Sequence, residues 1–145
     1  MAGACRGKFA QEVDLLRAQR IFEAGGRCIV IEDESQMDAV TALSGSGPAY
    51  FFLVMELLQR AGTNLGLPPE TARLLTLQTA FGAAKMALES PEDAATLRRR
   101  VTSPGGTTEQ ALKVFAERGL EQIFGDALAA AQRRAQELAE QLGRN

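Results

Sequence analysis

The chain has 145 residues, enough for one domain with a core, and its 46% hydrophobic and 23% charged residues make a globular composition. Sixteen basic and 18 acidic residues leave a net charge of −2, which gives no electrostatic footprint for nucleic acid or an anionic membrane. No apolar run reaches the roughly 20 residues of a membrane span, and the start, MAGACRGKFAQEVD, lacks a signal peptide's apolar core. Cys5 and Cys28 match no metal or redox spacing, so a reducing cytoplasm is the expected setting. Histidine is absent, which removes the commonest general base and the usual zinc ligand. Chemistry here has to use hydroxyls, carboxylates, backbone amides or a cofactor.

In chain order, residues 9–24 read as a helix with Leu15, Ala18, Ile21 and Phe22 on one face, stopped by Gly25 and Gly26. RCIVIE (27–32) is β-branched and is the only convincing strand; one strand must pair with another chain or with a sheet outside this sequence. A helix is expected from Ser35 through MDAVTAL, interrupted by SGSGP (44–48), with Pro48 in the first turn of the next helix and Ser46 or Gly47 as its cap. That next helix, AYFFLVMELLQRAGTNLG, is apolar nearly all round at its start. Such a helix is buried on every side, so a second subunit is expected to cover part of it.

Residues 68–90 form a third helix in which Gly82, Ala83 and Ala84 permit close backbone approach. SPEDAATLRRRV follows, with Ser90 as cap and Pro91 at the first position. TEQALKVFAER is closed by Gly119, and the helix over 120–142 carries a stripe from Leu120 through Phe124, Leu128 and Ala135 to Leu142. No internal repeat or low-complexity segment is present. The expected fold is mainly α, a helical bundle with one short N-terminal strand.

Between two of these helices lies TSPGGTTEQ (102–110), richer in glycine and hydroxyls than a plain turn requires. A helix starting near Gly105 to Thr107 aims unpaired N–H groups and its positive end at the loop. Two glycines let a ligand reach the backbone, and Ser103, Thr107 and Thr108 surround the spot with hydroxyls. This is a cradle for a small carboxylate or phosphate. The alternative is a simple capped turn, with Thr107 and Gln110 as a capping box.

Other features read as structure. SGSGPAY places Gly45 and Gly47 in a dinucleotide pattern but has Tyr50 at the third glycine position and no preceding strand. Arg98, Arg99 and Arg100 suit a solvated helix C-terminus, Lys85 a helix surface, and Asp33, Glu34 and Asp38 a helix entry without further metal ligands.

The ordered blocks DESQMDAVTALSGSGPAYFF, LGLPPETARLLTLQTAFGAAKM and LRRRVTSPGGTTEQALKVF resemble the C-terminal helical domain of pyrroline-5-carboxylate reductase, over roughly residues 33–142. The resemblance implies reduction of 1-pyrroline-5-carboxylate to L-proline with NADPH or NADH, by helical domains that interlock as dimers or larger homo-oligomers. It implies that residues 1–34 are the last helix and strand of a Rossmann domain, and 35–145 the dimerisation and substrate domain. Ser103, Gly105, Gly106, Thr107 and Thr108 are then the substrate loop. Ser103 and the amides of Gly106, Thr107 and Thr108 would hold the carboxylate, with the Thr108 hydroxyl near the ring nitrogen as the catalytic group. Ser44, Gly45 and Ser46 would lie near the nicotinamide. No metal, nucleic acid or membrane partner is implied. The family's glycine-rich cofactor turn is not in this sequence, so the chain alone is expected to be inactive or nearly so. Two other readings remain: a stand-alone helical oligomerisation or amino-acid-binding module, and a related reductase acting on a hydroxyacid.

Overall fold

The computed structural model describes residues 1–143; Arg144 and Asn145, the end of the expected helical domain, lie outside the described residues. The chain divides into two compact units, Met1–Pro48 with the chain from Phe124 onward, and Ala49–Ile123.

In the first unit, β1 (Ala2–Cys5), α1 (Glu12–Glu23) and β2 (Cys28–Ile31) form a crossover unit. The strands pair in parallel, from Ala2 opposite Cys28 to Cys5 opposite Ile31. This corrects the expectation of a lone strand. Ala-Gly-Ala-Cys has low β-propensity and no alternation, so only its pairing makes it a strand. Gly3 is required there: a Cβ would lie 2.9 Å from Val40 Cγ1. Leu15 and Ala18 of α1 are half-buried, while Ile21 and Phe22 are exposed. A two-stranded sheet buries too little to be stable by itself, and Ile29 and Val30 of β2 remain exposed.

The helix expected from Ser35 is compound. A 3₁₀ turn at Glu34–Gln36, capped by the Asp33 carboxylate accepting from Ser35 N at 2.9 Å, leads into α2 (Met37–Val40). Thr41–Gly45 then widens into a π-helix, closed by Ser46 N–H donating to Thr41 O at 2.9 Å. The expected break at SGSGP is therefore a change of winding. Ser46 has helical dihedrals, so it is not an extended cap of α3 (Gly47–Asn64).

In the second unit α3 ends in a left-handed Gly66 (φ 98°), with Leu67 N–H donating to Gly62 O at 3.2 Å. α4 (Pro69–Glu89) starts on a proline, where the missing N–H is not needed. Within this single chain the close helix approach lies at Gly62. A Cβ on Gly82 would meet nothing within 4 Å, whereas one on Gly62 would sit 3.4 Å from Ala72 Cβ, where α3 turns into α4. Among the described residues only Ala4, Ala42 and Ala72 are buried apolar side chains, and Thr76 is a buried polar one. The start of α3 stays open, with Phe51 and Phe52 68% and 67% exposed.

α5 (Ala94–Arg100) is capped by Asp93, whose Oδ1 accepts from Thr96 N at 2.6 Å. Ser90 is not the cap; it closes α4, and its hydroxyl accepts from Glu92 N. Asp93 wins because its carboxylate stands three residues before a free N–H. The Thr96 backbone bond, then its side chain, hold the Asp93 carboxyl below its ordinary value of 3.8. A lowered folded pKa stabilises above the ordinary value and is lost as pH falls through the folded one. Asp93→Ala is therefore expected to lower Tm at about pH 6, with a smaller gap to wild type at acid pH once the folded carboxyl is protonated. Asp93→Asn should keep the cap and lose that pH dependence. An equal gap between wild type and alanine variant at both pH values would contradict the assignment. α6 (Thr107–Glu117) ends at left-handed Gly119 (φ 72°), as expected, and α7 (Leu120–Gly143) follows with Leu128, Ala131 and Ala135 half-buried along its stripe.

Candidate functional site: the turn before α6

Between α5 and α6 the chain makes one tight turn. Gly106 N–H donates to Ser103 O at 3.0 Å, with Pro104 second and Gly105, at φ 72°, third. Proline then a left-handed glycine is the signature of a type II turn. The two glycines serve different purposes. Gly105 supplies the dihedral, and Gly106 supplies space: a Cβ on it would lie 2.6 Å from Ser103 Oγ. Ser103 is thereby seated over the start of α6.

Gly106 is the N-cap of α6, and it has no side chain to cap with. The capping box expected of Thr107 and Gln110 does not form. Instead Glu109, at the third helical position, reaches back, and its Oε2 accepts from Gly105 N at 2.8 Å. The amides of the loop are thus divided. Gly106 donates within the turn and Gly105 to Glu109, while the first helical N–H groups, those of Thr107 and Thr108, have no acceptor among the described residues. They carry the positive end of the α6 dipole. Thr107 is exposed and Thr108 half-buried.

The turn brings Ser103, Gly105, Gly106, Thr107 and Thr108 together in six residues of the second unit. Ser44, Gly45 and Ser46 lie in the first unit, in the π-helix and just after it. An open depression beside β2, lined by Met1, Glu23, Gly26, Arg27, Cys28 and Ile29, contains none of the expected residues. Glu109 is the residue that sequence reasoning missed. The signal was an acid at the third position of a helix whose cap is glycine.

Three of the charged side chains singled out in the sequence make local contacts. Arg99 donates to Thr96 Oγ1, Arg100 pairs with Glu92 at 2.7 Å, and Lys85 lies 3.8 Å from Glu89. No cluster of metal-ligating side chains occurs among the described residues. No described helix is long and apolar enough to cross a membrane. Gly105→Ala forces a side chain into the left-handed region and is expected to destabilise the chain by about 1–2 kcal/mol. A denaturant midpoint equal to wild type would show that the turn has another conformation.

A helix-dominated chain with a type II turn leading into a glycine-capped helix is the class this geometry defines. Residues 34–138 match the family model for pyrroline-5-carboxylate reductase dimerisation. The chain belongs to that family. Among curated relatives it is 58% identical over 127 residues to pyrroline-5-carboxylate reductase of Pseudomonas aeruginosa, covering 88% of this chain and 46% of the relative. To that of Haemophilus influenzae it is 45% identical, covering 95% and 51%. A solved pyrroline-5-carboxylate reductase from Coxiella burnetii superposes with a TM-score of 0.88 at 49% identity, over 94% of this chain and 51% of that one. The Plasmodium falciparum enzyme, solved with NADP bound, gives 0.84 at 32% identity, over 92% and 51%. The chain spans about half the length of the curated relatives it matches.

Proposed function

We propose that this chain is the helical dimerisation and substrate-binding part of a reductase that converts 1-pyrroline-5-carboxylate to L-proline with NADPH or NADH. The observation that carries the reading is the pair of unpartnered amides at Thr107 and Thr108, beside Ser103, within the stretch that matches the family. A carboxylate is the anion whose two oxygens suit two adjacent N–H donors and a hydroxyl. Gly105 and Gly106 shape the cradle: the Gly106 N–H, expected to hold the carboxylate, donates to Ser103 O instead, and that of Gly105 donates to Glu109.

With the carboxylate held there, the Thr108 hydroxyl lies near the ring nitrogen and donates to it as the imine becomes an amine. A reduced nicotinamide, when bound, supplies the hydride to the imine carbon. The chain's own residues fit the substrate rather than the cofactor's diphosphate. Among the described residues neither strand is followed by the G-x-G-x-x-G turn and helix that such a group needs. Ser44, Gly45 and Ser46 are assigned only the nicotinamide end. Residues 1–34 belong to the cofactor domain in this reading, and 35–145 to the helical one. Chains pair through the apolar start of α3 as a homodimer or larger homo-oligomer.

The experiment is a calorimetric titration of the chain with L-proline, beside a parallel NADPH oxidation assay. Saturable L-proline binding without NADPH oxidation is the expected result. Absence of binding by a folded, self-associated chain would remove the carboxylate assignment; turnover by the chain alone would remove the division of labour between domains.

A further inference from the structure

We propose that Glu109 is a positioning residue for the carboxylate cradle, a latch that holds Gly105 in its left-handed conformation so that the Thr107 and Thr108 amides face the ligand. The inference rests on the carboxylate reading above. Glu109 Oε2 accepts from Gly105 N at 2.8 Å, four residues back along the chain. Gly105, at φ 72°, is the residue whose dihedral sets the turn, and glycine is also the residue least committed to any one dihedral. Glycine's freedom lets the turn form and equally lets it open. The Ser103–Gly106 hydrogen bond closes the turn from one side. The bond to Glu109 ties its third residue to the first turn of α6 from the other. With both in place, Ser103 and the first two helical amides keep a fixed relation.

Glu109 also has a second, opposing effect, because a carboxylate near the cradle disfavours another anion there. The two effects separate by substitution. Glu109→Gln keeps an acceptor for Gly105 N and removes the charge, whereas Glu109→Ala removes both. The variants carry the same charge, and only the glutamine keeps an acceptor for Gly105 N. The alanine variant should bind roughly two- to tenfold more weakly than the glutamine variant, the span of one neutral hydrogen bond.

The test is L-proline titration of the 145-residue wild type, Glu109→Gln and Glu109→Ala, with amide exchange of Gly105 followed by NMR on the same samples. The latch requires weaker binding by alanine than by glutamine, together with faster Gly105 exchange in the alanine variant. Equal affinities for the two variants, while wild type binds, would overturn the latch and leave the carboxylate reading standing. Unchanged Gly105 exchange in the alanine variant would overturn it as well. If none of the three proteins binds L-proline, the carboxylate reading fails and this inference falls with it.

Discussion

Thr108→Ala, in the enzyme completed by its nicotinamide-binding domain, is expected to lower turnover by roughly a hundredfold, the usual effect of removing a positioned proton or hydrogen-bond donor. Thermal stability should stay within about 1 kcal/mol. The second expectation follows from where Thr108 sits. It is the second residue of α6, half-buried, and its hydroxyl caps nothing, since Gly106 is the cap and Glu109 makes the reach-back bond. A substitution that removes no described structural bond can alter turnover without unfolding the helix. Thr108→Ser should retain most of the activity, because it keeps the donor. If the alanine variant turns over at the wild-type rate, the nitrogen is served by another group.

The charge substitution Phe51→Glu with Phe52→Glu is expected to abolish self-association, read by light scattering on the size-excluded protein with intact mass on the same fraction. Both rings are about two-thirds exposed on α3 in the single chain. Burying such a ring contributes about 1.5–3 kcal/mol, and a symmetric interface counts each ring twice. Losing most of that removes roughly 5 kcal/mol from association, a factor of several thousand in the dimer constant. The wild-type chain should elute as a dimer or larger. A monomeric wild type, or an undisturbed dimer in the double variant, would mean that α3 is covered in some other way.

Much of the fold could be read in the sequence because its helices have strong ends. Pro68-Pro69, Gly66 and Gly119 mark their boundaries chemically, and each does so in the structure. What escaped depends on tertiary context. β1 has no propensity of its own and exists through its register with β2. The π-helix at Thr41–Gly45 uses the same residues that would break an ordinary helix, and local composition does not distinguish winding from breaking. Ser90 reads as the cap in the sequence, and only the geometry of the Thr96 amide gives that role to Asp93.

The candidate turn was legible as an anion cradle from its glycines, hydroxyls and following helix. Its internal bonding was not. Thr107 and Gln110 have the spacing of a capping box, but the helix starts at Thr107 itself, so the cap falls on Gly106 and the reciprocal acid is Glu109. One residue of helix phase thus decided which side chains are structural and which remain available.

The most direct measurement joins this chain to a nicotinamide-binding domain of the family and follows NADPH oxidation with 1-pyrroline-5-carboxylate, with a 2-hydroxyacid and its ketoacid as comparison substrates. Imine-dependent turnover, absent from the 145-residue chain alone and absent with the hydroxyacid pair, is the expected result. A joined protein that self-associates and binds NADPH yet leaves the imine unreduced would contradict the account.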